Sequence, residues 1–334
     1  MDPVTHGLLG ATASQSFASG DKIRAAAFTG LASAMIADLD VFISDAGDPL
    51  LNLEMHRQFS HSLVFIPVGA LIASFLVWWF VRSRLSFKET YLFSVAAYAT
   101  AGIADACTSY GVKLLWPFID ERYALNIISV FDPVFTVGLL LATALVFFKR
   151  KQVLSWLSWT WVGLYLIWGY GQYGRAANIA SQIAAHQNHL PGKTVIKPTI
   201  ANQLLWSIRY ISQNDNLHAY GVRISPFADP VIYKGNSVPM LDWRKKYSGY
   251  RGTVLYNDIQ RFSELSEGVL VLHPQHEQVI GDGRYAMLPT SVSPLWGIKI
   301  DTARPGEHVS FETYRNAGPE VRESFLNMLL GKKK

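Results

Sequence analysis

Apolar residues along this chain form long unbroken runs in its first half and short alternating stretches in its second. No charged residue occurs in 62–81 or in 152–174. A helix that crosses the hydrocarbon core of a bilayer needs about 20 mostly apolar residues, and both runs reach that length. A buried core helix of a soluble protein is the alternative, but such runs recur and their length argues against it. The pattern predicts about six embedded segments. Four are strong, at 62–81, 90–109, 133–148 and 153–171; two are weaker, at roughly 3–19 and 25–43. The weaker pair is rich in Ala, Gly and Ser, which suits close helix packing better than lipid contact. A pair of surface helices is the other reading of those two.

After Gly174 polar residues, Pro and Gly become frequent. Stretches 206–210, 221–225, 268–272 and 295–300 have the composition of strands, and 254–265 reads as a helix. The expected architecture is a membrane all-α helical bundle over 1–174, followed by a soluble α+β domain over 175–334.

Charge refines this picture. Only 16% of the residues are charged, against roughly 25% in ordinary globular chains. The net charge is +5, but Lys and Arg form no single stripe of the kind that binds nucleic acid, so no nucleic-acid partner is expected. In the first half they cluster in turns: Lys22 and Arg24; Arg82, Arg84 and Lys88; Lys149, Arg150 and Lys151. With six crossings all three clusters fall on one side, and the positive-inside rule makes that side cytoplasmic. The C-terminal domain is then periplasmic in a bacterial inner membrane. The opening residues lack the basic region of a cleavable signal, so none is expected. A single cysteine, Cys107, excludes an internal disulfide framework.

Ionisable residues inside apolar segments are costly and mark functional positions. Here they are His6, Asp38, Asp40, His56, His61 and Asp105. In the six-crossing topology His6 begins the first helix, Asp38 and Asp40 end the second, and His56 and His61 precede the third, all on the outer side. Asp105 lies about 15 residues up the fourth helix, or ~23 Å at 1.5 Å per residue, which brings it to the same face. Four separate segments thus deliver histidines and carboxylates to one membrane level. Such a mixture suits zinc, with manganese or iron as alternatives. Asp38 and Asp40 would point about 200° apart on a regular helix. Either the helix ends there, or one is a ligand and the other orients a ligand. Ser60 reads as the N-cap of the third helix. Singly, each residue has a plainer role: an interfacial histidine, a helix end, or, for Asp105, an ion pair with Arg57 or Arg122. Arg57, Lys113 and Arg122 share the outer side and suit either a phosphate-like anion or lipid headgroups.

These residues sit in Asp2-Pro3-Val4-Thr5-His6-Gly7, Ala37-Asp38-Leu39-Asp40, His56-Arg57-Gln58-Phe59-Ser60-His61-Ser62 and Asp105-Ala106-Cys107-Thr108-Ser109-Tyr110-Gly111, followed by Leu115-Trp116-Pro117. As an ordered set they resemble the YdjM-like family of inner-membrane proteins, which implies a metal-dependent hydrolase. That family often has Pro where Ala37 stands and Gly where Gln58 stands; neither departure touches a candidate ligand. The family is distantly similar to zinc-dependent bacterial phospholipase C, which implies a metal-activated water attacking a phosphoester. The C-terminal half, with Gly281-Asp282-Gly283-Arg284-Tyr285 and Leu295-Trp296-Gly297-Ile298, is similar to the extension of longer members.

The expected function is therefore hydrolysis of a phosphoester in a membrane lipid or lipid-linked substrate. His6, His56, His61 and some of Asp38, Asp40 and Asp105 would be ligands, a remaining carboxylate among Asp38 and Asp40 the general base, and Arg57 the anion contact. An intramembrane metal-ion or ion-coupled transporter is the second reading, although a pathway should continue inward and the inner halves of these segments carry no ionisable residue. A scaffold with a structural metal is the third. Reporter fusions at residue 86 and at Lys151 are expected to read as cytoplasmic, and fusions beyond residue 180 as periplasmic. A cytoplasmic C-terminal domain would undo the convergence of the six residues.

Overall fold

The structure, a computed structural model, describes residues 1–332; Lys333 and Lys334, the end of a terminal lysine run, lie outside the described residues. The chain divides into two units. The first comprises Met1–Ile43, Met55–Gly171 and Ile200–Asn202; the second comprises Ser44–Glu54, Gln172–Thr199 and Gln203–Lys334. Beyond the expected change near residue 174, one short stretch of the first half, Ser44–Glu54, folds with the second unit.

The first unit is helical. Helix α1 (Pro3–Gln15) starts where the Asp2 side chain accepts the Thr5 amide at 3.0 Å, with proline at its first position, where a missing N–H costs nothing. Helix α2 (Ile23–Ile36) tightens into a 3-10 turn over Ala37–Phe42. The short α3 (Leu51–Met55) lies mostly in the second unit. Then follow α4 (Ile66–Val81), α5 (Phe87–Ala106), α6 (Pro133–Lys149) and α7 (Ser155–His186). Helix α5 opens on a capping box: Ser86 and Glu89 exchange side-chain and backbone hydrogen bonds, satisfying two otherwise orphaned donors.

A helix thus forms at each of the six expected segments. Two stretches, Gly20–Phe42 and Leu63–Val81, are by themselves long and apolar enough to cross a membrane, and Pro133–Lys149 is apolar but shorter. Helix α1 has only 13 residues, and hydroxyls lie at the contacts between these helices. Ser14 donates to the Phe93 carbonyl at 2.9 Å, Ser33 and Ser94 share a hydrogen bond of 2.9 Å, and Thr12 and Thr143 one of 2.8 Å. Between helices in a membrane such a bond would contribute roughly 0.6 kcal/mol. The outward faces are the reverse: Phe75, Leu76, Trp79 and Phe80 of α4, and Leu141 and Phe148 of α6, are exposed. Water would disfavour such a surface; lipid would not. Helices α1 and α2 meet at Gly10 and Gly30, where a Cβ on either would overlap the other's carbonyl oxygen.

The second unit is built on two antiparallel four-stranded sheets. The first runs β1 (Thr194–Pro198), β2 (Leu205–Ile211), β3 (Asn216–Arg223), β4 (Val231–Pro239) in spatial order. The second runs β5 (Leu270–His273), β6 (His276–Asp282), β7 (Trp296–Lys299), β8 (Ser310–Thr313) in the same way. Helices α8 (Trp243–Lys246), α9 (Val254–Leu265) and α10 (Pro319–Leu330) accompany them. The expected strands at 206–210 and 295–300 and the helix at 254–265 are present. The stretch expected at 221–225 is the end of a strand that starts at Asn216, and the one at 268–272 starts only at Leu270. The later part of α7 lays Ala176, Ile179, Ala180 and Ile183 on Ile196, Trp206, Ile208 and Val222. Helix α9 buries Leu255, Ile259 and Phe262 at helical spacing against Leu270, Ile280 and Ile298. Leu50, from Ser44–Glu54, is fully buried in that same cluster; truncating such a leucine to alanine costs about 2–5 kcal/mol.

One buried amine in this unit has no hydrogen-bond partner among the described residues. The Lys197 ammonium has no hydrogen bond and lies 3.0 Å from the centroid of the Tyr285 ring. Burial, and then the nearby Arg209 guanidinium, hold the amine well below the usual lysine range, against the opposing pull of Asp282 and Glu267. The folded state therefore binds fewer protons than the unfolded chain between this lowered pKa and the ordinary 10.5, so stability should rise with pH across that window. Lys197→Met is expected to raise the melting temperature at neutral pH and to flatten this rise. Thermal unfolding of both proteins across neutral to alkaline pH measures it; an unchanged slope would show that Lys197 is not the group responsible.

Candidate metal centre

All six expected site residues belong to the first unit. His6 sits in the first turns of α1, Asp38 and Asp40 in the 3-10 turn after α2, and His61 in a 3-10 turn over Phe59–His61. His56 and Arg57 follow α3, and Asp105 lies in the last turn of α5. The two aspartates lie in the 3-10 turn that begins at Ala37. At three residues per turn, positions two apart differ by about 240°, so Asp38 and Asp40 face different neighbours. Ser60 caps no helix, since α4 begins at Ile66. Its hydroxyl instead donates to Asp40 and lies 2.9 Å from His61 Nδ1. The His61 carbonyl rests on Gly102 of α5, where a Cβ would overlap it.

Four side chains converge. His6 Nδ1 is hydrogen-bonded to Asp38 Oδ2 at 2.8 Å, and His6 Nε2 is 3.3 Å from Asp105 Oδ1. His61 Nε2 is 3.3 Å from Asp38 Oδ1 and 3.4 Å from Asp105 Oδ2. The Met1 amino group also contacts Asp105 Oδ1. His6, His61 and Asp105 are buried, and His6 Nε2, His61 Nε2, Asp38 Oδ1 and Asp105 Oδ2 all lack a hydrogen-bond partner among the described residues.

Buried polar atoms left unpaired cost about 1–3 kcal/mol each, so four facing one another mark a place where a further group fits. Zinc binds imidazole nitrogen at about 2.0–2.1 Å. The edge of a tetrahedron of that radius is roughly 3.3–3.4 Å, and His61 Nε2 stands at that spacing from Asp38 Oδ1 and from Asp105 Oδ2. One ligand atom each from His6, Asp38 and His61 falls within 4.8 Å of the others. These residues, with Asp105, could hold a divalent cation.

Asp40 stands behind this group. One of its oxygens meets His56 Nδ1 at 2.7 Å. The other accepts the Arg57 amide at 2.9 Å and the Ser60 hydroxyl, and lies 3.4 Å from His61 Nδ1. A carboxylate on the far nitrogen of an imidazole fixes the ring's tautomer and orientation. His56 is drawn to Asp40, and its ring is not among the converging atoms. The Arg57 Nε lies 2.8 Å from Asp105 Oδ2 in an ion pair that lacks hydrogen-bond alignment. Its Nη1 is buried without a partner. Of the other two cations, Lys113 pairs with Asp120 at 2.6 Å and Arg122 donates to the His56 carbonyl at 3.2 Å. Sequence reasoning took Ser60 for a cap and passed over Gly102, although a glycine in a helical run signals close packing.

Residues 1–176 match the family described as YdjM inner membrane protein. Inner membrane protein YbcI of Escherichia coli (strain K12) is 29% identical over 145 residues, covering 42% of this chain and 80% of that protein. No solved structure matches the chain.

Equilibrium dialysis of the detergent-purified protein against zinc separates the roles. His6→Ala, His61→Ala and Asp105→Ala should each abolish tight binding, because alanine offers no lone pair. Asp40→Asn should weaken it by about 10–100-fold, the effect of losing an orienting partner. Undiminished zinc binding in all three alanine variants would remove them from the ligand set.

Proposed function

The chain belongs to the YdjM family of inner membrane proteins, and from that premise we propose that it is a membrane-embedded, metal-dependent hydrolase of lipid or lipid-linked phosphoesters. The observation that supports the reading is four buried atoms without a hydrogen bond among the described residues, His61 Nε2 standing at coordination spacing from Asp38 Oδ1 and Asp105 Oδ2, with the Arg57 Nη1 nitrogen likewise without a hydrogen bond beside them. A bound zinc ion would lower the pKa of a coordinated water toward 7 and polarise the ester oxygen.

The protein's own groups divide the remaining work. Arg57 has lost most of its hydration and holds only one imperfect ion pair, so an anionic phosphate oxygen would satisfy Nη1. Asp38 is the carboxylate that solvent reaches, with 19% of its side chain exposed against 1% for Asp40 and 0% for Asp105. It is therefore the coordinating carboxylate beside which water and substrate would reach the site, its other oxygen being held by His6 Nδ1. Asp40 is saturated with donors and serves to orient. His56, held through Nδ1 and 31% exposed, keeps Nε2 for the leaving oxygen.

Two cavities in the first unit support a lipid substrate. A large one of about 1290 Å³ is lined by Phe17, Leu92, Phe93, Trp156 and Trp159 and extends to Glu89. A smaller one of about 120 Å³ is lined by Met1, Leu9, Ala104 and Cys107. Both include Thr100 and Trp159. Together they follow α5 from Glu89 to Ala104, the residue next to Asp105, a path of ~23 Å. One leaflet of hydrocarbon is about 15 Å thick, so the path accommodates an acyl tail whose headgroup lies at the site. In this reading α1, α2, α4, α5, α6 and α7 are the six embedded helices, and the second unit lies in the periplasm.

Zinc-loaded protein in detergent is expected to cleave one class of lipid phosphoester in a panel read by mass spectrometry. Arg57→Gln should lower kcat/KM by roughly 10²-fold with zinc content retained. A fully loaded protein that leaves every lipid phosphoester intact but carries metal ions into vesicles would replace this reading with transport.

A further inference from the structure

We infer that Arg261, in the second unit, is a positioning residue for the His/Asp site, acting through the segment Ser44–Glu54; as a statement about that site, it rests on the reading above. The chain leaves the first unit after Ile43 and returns at Met55. Asp38 and Asp40 lie just before this excursion; His56, Arg57 and His61 lie just after it. The geometry of the site therefore depends on where the two ends of the excursion are held.

The hold is specific. Arg261 of α9 meets Asp48 with Nη2 at 2.8 Å and Nη1 at 3.0 Å, and meets Glu54 with Nε at 2.7 Å and Nη2 at 2.8 Å. Nη1 also donates to Asp258 at 3.0 Å. One planar guanidinium thus takes two carboxylates of the excursion, each with both oxygens, an arrangement that a lysine cannot reproduce. Asp48 also accepts the Leu50 amide at 3.1 Å, and Leu50 is the buried plug between the two gripped residues. Asp258 is fixed from its other side by His308 Nδ1 at 2.9 Å and the Val309 amide at 3.0 Å, so the clamp has a rigid base. Glu54 is two residues from His56, a tether of at most ~7 Å. Fixing Glu54 therefore confines His56 and the Arg57 amide, both of which dock on Asp40.

The alternative is that Arg261 only stabilises its own unit. Arg284 supplies the comparison. It is a more deeply buried clamp in the same unit, paired with Asp282 at 2.8 Å and Glu267 at 2.6 Å, and among the described residues none of its partners lies in 44–54.

The experiment uses the full-length chain in detergent as wild type, Arg261→Met, Arg261→Lys and Arg284→Met. Amide hydrogen exchange over residues 55–62 of zinc-free protein is read first, and zinc affinity by chelator competition second. Arg261→Met is expected to speed exchange over 55–62 at least tenfold and to weaken zinc about tenfold. Arg261→Lys should recover only part of either effect, and Arg284→Met should change neither. Unchanged exchange in Arg261→Met, equal effects in Arg284→Met, or faster exchange with zinc affinity intact would each overturn the inference. A wild type that binds no zinc would instead sink the metal reading, while the exchange data would still decide whether Arg261 positions the segment.

Discussion

Four buried atoms that face one another without a hydrogen-bond partner are the constraint on which the first unit turns. Two belong to carboxylates and two to imidazoles, and among the described residues the one full countercharge within ion-pair range from a side chain is Arg57. An apolar bundle does not keep such a group by default, because burying charge is expensive unless it is paired. The surrounding architecture makes sense as a means of keeping it. Within the 3-10 turn after α2, Asp38 faces the cluster and Asp40 collects donors behind it. The cap at Asp2 starts α1 where its first turns carry His6 inward. The hydroxyl pairs along α1, α2, α5 and α6 let these helices approach without lipid between them.

Much of this site was legible in the sequence, and for a physical reason. A carboxylate or histidine inside an apolar run is conspicuous because the cost of placing it there is high. The division of labour was less legible. The spacing of Asp38 and Asp40 raised two possibilities, and only the local helix geometry shows that both hold: the α-helix ends, and the two side chains do different things. Ser60 was misread because a serine before an apolar run has the signature of a cap; the turn continues for several more residues before α4 begins.

The second unit was less readable. Strand β6 opens on His276, Glu277 and Gln278, and β4 carries Gly235 and Asn236; neither offers the apolar alternation that marks a half-buried strand. Residues 44–54 looked like a polar loop because α3 is too short to show a period. Their attachment to a distant core comes from one leucine and two acids, whose partners lie some two hundred positions further along the chain.

The contact at Gly102 has a genetic consequence. The carbonyl of His61 rests on the bare Cα of a helix whose next turn carries Asp105, so two site residues are held in register by the absence of a side chain. No amino acid other than glycine leaves that space open, and every missense codon at this position adds at least a methyl group. In a mutational scan Gly102 should therefore be as intolerant as a residue with a donor atom of its own, with protein still present in the membrane. A sequence position can belong to a site while contributing no chemistry to it, and its intolerance would then be a measure of distance rather than of reactivity.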